Sequence, residues 1–110
     1  MAFDEGLAQR LRELFADQEH VVEKKMFGGL AFMVSGNMCC GVVDDKLMAR
    51  VGAEQYLESL TKNHVQQMDF TGKPLKGFVY VEAPGIESDE DLKYWMNTCL
   101  GFINRLPAKY

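Results

Sequence analysis

Long apolar runs, a basic leader segment and C-x-x-C cysteine pairs are all missing from this chain of 110 residues. No stretch approaches the ~18 consecutive apolar residues that a membrane-spanning helix requires. The opening segment, MAFDEGLAQR, carries acidic residues where a signal peptide would carry basic ones. We therefore expect a cytoplasmic protein that makes no contact with a membrane.

Cysteine and histidine are scarce, and their spacing does not favour chemistry. The odd number of cysteines argues against a disulfide-stapled secreted domain, and no C-x-x-C zinc pair occurs. Adjacent residues of a strand point to opposite faces, so we expect Cys39 and Cys40 to point apart. Cys99 should be buried on a helix, because free cysteine behaves as a small hydrophobe. We expect His20 and His64 to be ordinary exposed histidines.

Catalytic signatures are also absent, including G-x-S-x-G, H-E-x-x-H, a Walker A loop and a dinucleotide fingerprint. We therefore predict no enzyme activity, no metal and no cofactor. One alternative stays open, a thiol-dependent enzyme or sensor that uses whichever of Cys39 and Cys40 faces outward. The net charge of −4 disfavours direct nucleic-acid binding, because phosphate recognition usually needs a basic domain.

What the sequence does contain is the composition of one soluble globular domain, with 47% hydrophobic and 25% charged residues. Periodicity and turn residues predict a helix over 4–16, followed by four strands over 21–27, 30–34, 38–43 and 47–51. A helix over 52–60, a weak strand over 65–70, a loop over 71–77 and a strand over 77–83 come next. Ser88 caps the last helix, and Pro107 stops it. The order predicts an α+β fold. Its central antiparallel meander of five to six strands carries the N- and C-terminal helices and a short middle helix.

The hairpin over residues 30–43 is apolar on both faces. A two-residue loop at Gly36-Asn37 sets Phe32 opposite Gly41. One face then carries Leu30, Phe32, Val34, Cys39 and Val43, and the other carries Ala31, Met33, Met38, Cys40 and Val42. An antiparallel sheet usually leaves one face exposed to water. Since both faces of this hairpin are apolar, we expect other parts of the protein or a partner to cover both. The terminal helices should cover the first face, and the middle helix, the 61–77 loop or a second subunit should cover the other.

This second face is the predicted partner surface. Met33, Met38 and Met48 resemble an adaptable contact surface, although the back of a two-sided core explains them equally well. The candidate residues are Met33, Met38, Cys40, Lys24, Lys25, Arg50, Lys73 and Lys76. The alternative for the cations is a solvated surface. We predict a protein partner that covers this face. A second copy of the chain, in a symmetric homodimer, is the commonest partner of this kind.

Four segments, in order, resemble the TfoX N-terminal domain family, which includes the TfoX/Sxy regulators of natural competence. They are KKMFGGLAFMVSGNMCCGV, MDFTGKPLKGFVYV, DLKYW and RLPAK, within residues 20–109. The matching motif residues are Met26, Phe27, Gly28, Gly29, Gly36, Asn37, Gly72, Pro74 and Gly77, all with structural explanations. The resemblance implies an α+β domain grouped with secretion-chaperone-like folds, and it supplies no catalytic residue.

The resemblance also implies a regulatory role. Competence regulators of this family carry a second, helical domain, and we expect this chain to be a single-domain form. Our leading hypothesis is a non-enzymatic regulatory domain that acts through protein contacts. The alternative is a nucleic-acid-associated transcriptional regulator.

Overall fold

The computed structural model describes residues 3–26, 28–70 and 72–108. Its elements are α1 (Glu5–Leu14), β1 (Val21–Met26), β2 (Gly29–Val34), β3 (Asn37–Val43), β4 (Lys46–Arg50), α2 (Ala53–Leu60), β5 (Val65–Phe70), β6 (Lys73–Val81), a 3-10 turn (Ala83–Ile86) and α3 (Asp89–Ile103). This order confirms the predicted α+β fold. Phe27 and the side chains of Lys73 and Pro74, which the sequence analysis named, lie outside the described part.

One antiparallel sheet contains all the described strands, in the order β1-β2-β3-β4-β6-β5. The first four strands form the predicted meander. The chain then forms α2 and returns as the β5–β6 hairpin, with β6 beside β4. No helix within the described residues combines the length and hydrophobicity needed to cross a bilayer.

Both terminal helices begin at the predicted caps. Asp4 Oδ1 accepts a 2.8 Å hydrogen bond from the backbone N–H of Gly6, and Ser88 Oγ accepts one of 3.0 Å from that of Asp91. α3 ends at Ile103, earlier than the apolar stripe that extends to Leu106 predicts. The chain leaves the helix in tight turns before Pro107 is reached.

All three helices pack on the same face of the sheet. Leu11 of α1, Tyr56 of α2 and Trp95 of α3 belong to one buried cluster. From the strands this cluster takes Leu30, Phe32, Val34, Cys39, Cys40, Val42, Leu47, Ala49, Val79 and Val81. The phenyl rings of Phe15 and Phe32 stack there, with centroids 5.3 Å apart. The expectation that α2 partly covers the second face is therefore wrong.

The β2–β3 turn differs from the predicted one. It lies at Ser35-Gly36, whose φ angles of 51° and 82° suit a two-residue hairpin turn with left-handed residues. Asn37 is the first residue of β3 and pairs with Val34. The predicted loop at Gly36-Asn37 is one residue too late along the chain.

The same hairpin contains a bulge that changes which residues share a face. Met33 pairs with Met38 but Phe32 pairs with Cys40, so Cys39 is the extra residue on β3. Because the bulge interrupts the alternation, Cys39 and Cys40 both join the helix-covered cluster. The prediction that they point to opposite faces is wrong, and Val42 and Val43 exchange faces for the same reason.

The predicted loop over 71–77 is largely strand, because β6 begins at Lys73. Proline at position 74 argues against a central strand, since it donates no backbone hydrogen bond. Within β6, only Phe78–Val81 pairs with β4. The early part of β6 therefore pairs only with β5, and its other edge is unpaired. A proline is tolerated there because one side of the strand needs no backbone donor.

Candidate interaction surface

The second face of the sheet forms a separate hydrophobic cluster made only of strand residues. Its buried members are Ala31, Met48 and Met68, and the partly buried ones are Met26, Met33, Met38, Val43, Leu75, Phe78 and Tyr80. We call these residues the methionine face. Among the described residues no helix contributes to it, so its partly buried side chains are the outer layer on this side.

Small residues at the centre of this face leave room for methionine side chains to lie flat. Gly41 pairs with Ala31 on one side and with Met48 on the other. A Cβ at Gly41 would come within 2.8 Å of the terminal methyl of Met48. Met48 therefore occupies the space above Gly41 and becomes almost fully buried without a covering helix. Unbranched thioether chains of this kind can repack around a ligand.

The charged residues that alternate onto this face from β1 to β4 are all cationic. Lys24 pairs with Ala31, Lys46 with Val43, and Arg50 with Phe78, so each shares the face of its partner. Glu23, one residue from Lys24, points to the other side and forms an ion pair with Arg12 of α1 at 2.8 Å. The methionine face therefore carries positive charge on a protein whose net charge is negative.

Two of these cations rest on aromatic rings. The ammonium of Lys46 lies 5.8 Å from the ring centroid of Tyr80, and the guanidinium of Arg50 lies 5.5 Å from that of Phe78. Arg50 also lies 5.3 Å from the ring of Phe102 in α3 and donates a 3.3 Å hydrogen bond to the carbonyl of Met38. Arg50 is thus held at the border between the two faces.

The tyrosine of this face has a perturbed hydroxyl. Burial, and then the nearby carboxylates of Asp44 and Asp69, raise the pKa of Tyr80. Asp44 lies in the β3–β4 turn and Asp69 lies in β5, so acidic groups act on the phenol of this face.

The structure divides the predicted partner surface. Met33, Met38, Lys24 and Arg50 share the methionine face, and their role as a partner surface stays a prediction. Cys40 is only 1% exposed in the helix-covered core, so its assignment to the partner surface is wrong. Lys25 pairs with Leu30 and points to the helix side of the sheet. Lys76 is exposed in β6.

Sequence reasoning missed part of this face, namely Met26, Met68, Leu75, Phe78, Tyr80 and Lys46. The signal for the aromatic pair was present. Phe78 and Tyr80 are two apart in a strand, so they must share a face. Nothing in the sequence says which face, since Val79 and Val81 are equally apolar. The pairing of β6 with β4 decides it.

The three cysteines meet in the helix-covered core as free thiols. Hydrogen bonds with the thiols of Cys40 and Cys99 lower the pKa of Cys39 to about 5, against the opposing effect of burial. The same contact with Cys39, together with burial, raises the pKa of Cys40 and Cys99 well above the ordinary value. Neither Cys39 nor Cys40 faces outward, so the thiol hypothesis lacks the exposed cysteine that it requires.

Other parts of the surface offer little chemistry. Within the described residues, no group of three or more His, Cys, Asp or Glu side chains could hold a metal ion. An open cleft of about 420 Å³ is lined by Lys62, Asn63, His64, Pro84, Gly85, Asp91, Tyr94 and Trp95. Neither serine, cysteine nor threonine is among these residues, so the cleft offers His64 no aliphatic hydroxyl or thiol to activate as a nucleophile. Both His20 and His64 are exposed, as predicted.

Fold and site together define an α+β domain with helices on one side of an antiparallel sheet and an apolar, cation-bearing face on the other. The sequence pattern of the TfoX N-terminal domain matches residues 13–103. The chain therefore belongs to the TfoX N-terminal domain family. No curated protein and no solved structure matches it.

Proposed function

We propose that this protein is a non-enzymatic regulatory domain of the bacterial cytoplasm that acts by binding another protein through its methionine face. The observation that carries this proposal is an apolar sheet face to which no described helix contributes. Contiguous apolar surface of this kind marks interaction sites, and methionine is frequent where a surface must adapt to its partner.

Membership of the TfoX N-terminal domain family supports the regulatory part of the proposal. The TfoX/Sxy members that the sequence resembles are regulators of natural competence, and we propose a role of this regulatory kind for this chain. Protein contact is the means that its surface favours. The cations of the methionine face make that contact selective, because a partner must satisfy them as well as the apolar side chains.

A second copy of the chain is one possible occupant of the face, and a homodimer stays a prediction. A symmetric dimer brings the same patch of each copy together. Lys24, Lys46 and Arg50 of both copies would then lie in one interface. Within the described residues none of the three forms an ion pair, so this arrangement carries a repulsive cost.

The proposal is tested by capturing partners from a nuclease-treated extract of the native host. Met33→Lys places a charge on the methionine face, where the side chain is partly exposed. Leu57→Lys is the matched control, because Leu57 is 74% exposed on α2. We expect the wild type and Leu57→Lys to retain a protein that Met33→Lys loses. Equal recovery by all three variants would contradict the proposal.

Direct binding of duplex DNA is the main alternative, and a gel shift at several salt concentrations separates it from protein binding. Phosphate contacts weaken steeply as salt rises.

The thiol alternative is tested by labelling the folded protein. Because Cys39 and Cys40 are buried, we expect them to react only when the chain unfolds, and rapid labelling of the native state would revive that hypothesis.

A further inference from the structure

We propose that the partner element recognised by the methionine face is a single amphipathic helix with acidic margins. This inference rests on the proposed function and specifies the chemistry of the partner. Three features of the face carry it, namely its dimensions, its methionine side chains and the placement of its cations.

The dimensions fit one helix. The methionine face lies mainly on the four central strands β2, β3, β4 and β6, which span ~14 Å across the sheet, while Met26 on β1 and Met68 on β5 extend it by one strand at each side. A helix with its side chains is roughly 10–12 Å wide. β2 has six residues and is ~20 Å long, which matches a helix of about 13 residues.

The apolar side chains fit a helix better than an added strand. An added strand would pair with a sheet edge, and at β1 that edge carries Glu23, Lys24 and Lys25, which protect it from edge-to-edge pairing. The methionines instead lie across the middle of the sheet. They provide an adaptable layer against which leucine-sized side chains at helical spacing can pack.

The cations select the charge of that helix. Lys46 and Arg50 stand at the two ends of β4, ~13 Å apart. Lys24 lies on β1, to the side of the apolar centre. Carboxylates along both margins of a helix would therefore meet a cation at each end of the face and at its β1 edge. The carboxylates of Asp44, two residues before Lys46, and of Asp69, on β5, also act on Tyr80.

The same contacts disfavour single-stranded nucleic acid, the other common ligand of an open sheet face. Such ligands stack their bases on aromatic rings. Here Lys46 already lies over the ring of Tyr80, and Arg50 lies over that of Phe78. The observations thus favour an acidic protein helix.

The test uses two synthetic helical peptides of 15 residues with the same leucine stripe. One carries glutamates along both margins of the stripe, and the other carries lysines in their place. Binding is measured by fluorescence anisotropy at low and high salt, and the contact surface by NMR of isotope-labelled methionine methyl groups. Met96, buried on the helix side of the sheet, is the internal control.

We expect the glutamate peptide to bind about tenfold more tightly than the lysine peptide at low salt, and this preference to shrink as salt rises. The methyl signals of Met33 and Met38 should move while that of Met96 stays in place. The double variant Lys24→Glu/Lys46→Glu should reverse the preference between the peptides. Lys93→Glu, an exposed change on α3, should leave it unchanged.

Several outcomes would overturn the inference. Equal affinity for both peptides would remove its acidic part, and no binding of either would remove all of it. A shift of Met96 alone would place the contact on the wrong face. Stronger binding of a single-stranded oligonucleotide at Met33 and Met38 would assign the face to nucleic acid. If Met33→Lys loses a native protein but the glutamate peptide does not bind, the proposed function stands and this inference falls.

Discussion

Asn37 donates a hydrogen bond from Nδ2 to the main-chain carbonyl of Pro107 at 3.0 Å. The amide ties the β2–β3 hairpin to the segment that follows α3, across 70 positions of sequence. Asn37 is buried, and its Oδ1 has no hydrogen-bond partner among the described residues. The contact fixes the segment around Pro107 against the turn and leaves Asn37 Oδ1 without a partner among the described residues.

We expect Asn37→Ala to lower the free energy of unfolding by about 1 kcal/mol, the net value of one neutral hydrogen bond. Pro107 is exposed, so its carbonyl can bind water instead. Asn37→Asp should cost more at neutral pH, because a carboxylate cannot donate and its burial is penalised. Urea unfolding of the two variants measures both values. An equal cost would show that burial of the carboxylate carries no penalty, and no loss for Asn37→Ala would contradict the role of the donor.

Trp95 is the large anchor of α3 in the core, and it is only 4% exposed. We expect Trp95→Ala to lower the free energy of unfolding by about 3–5 kcal/mol, a large share of the stability of a small domain. Trp95→Phe, which keeps an aromatic ring, should cost less. Chemical denaturation provides both values, and a loss below 1 kcal/mol for the alanine variant would contradict this placement.

The order of elements was predictable because each one carries its own local signal. The Asp4 and Ser88 caps, the period-2 strands and the glycine-containing turns all act over a few residues. The β2–β3 register was not predictable in this way. Ser35-Gly36 and Gly36-Asn37 are both suitable turns, and the Cys39 bulge depends on packing across the sheet. The shifted turn changes each cross-strand partner by two residues and keeps the faces, whereas the one-residue bulge moves the residues after Cys39 to the other face.

The site was predictable only in part. Met33, Met38 and Met48 were grouped correctly, because they keep the alternation of their strands. Cys40 was misplaced because the bulge precedes it. The contribution of Phe78 and Tyr80 depends on the long-range pairing of β6 with β4, which alternation within one strand cannot reveal.

The thiol of Cys39 provides a prediction about pH. Its pKa in the folded protein is lowered from an ordinary 9.0 to about 5. A group whose pKa is lowered by folding stabilises the folded state at pH values above its pKa in the unfolded chain. This stabilisation is lost as the pH falls through its pKa in the folded protein. The stability difference between the wild type and Cys39→Ala should therefore shrink as pH falls from about 9 towards 5.

Unfolding experiments across that range test the prediction, and the ultraviolet absorbance of a thiolate provides an independent readout. Folded wild type should show one thiolate at neutral pH that Cys39→Ala lacks. Cys40→Ala and Cys99→Ala should each raise the pKa of Cys39, because each removes a hydrogen bond that favours the thiolate. A folded protein without thiolate absorbance at neutral pH would refute the lowered value.

Self-association through the methionine face should depend on salt in the opposite direction to binding of an acidic helix. A symmetric dimer would oppose Lys24, Lys46 and Arg50 with their own copies, so screening should strengthen it. Sedimentation equilibrium at tens of micromolar protein, at low and high salt, measures this dependence. Met33→Lys should abolish the dimer and leave the circular dichroism spectrum unchanged, whereas Leu57→Lys should leave the dimer intact. A monomer at both salt concentrations would count decisively against the predicted homodimer.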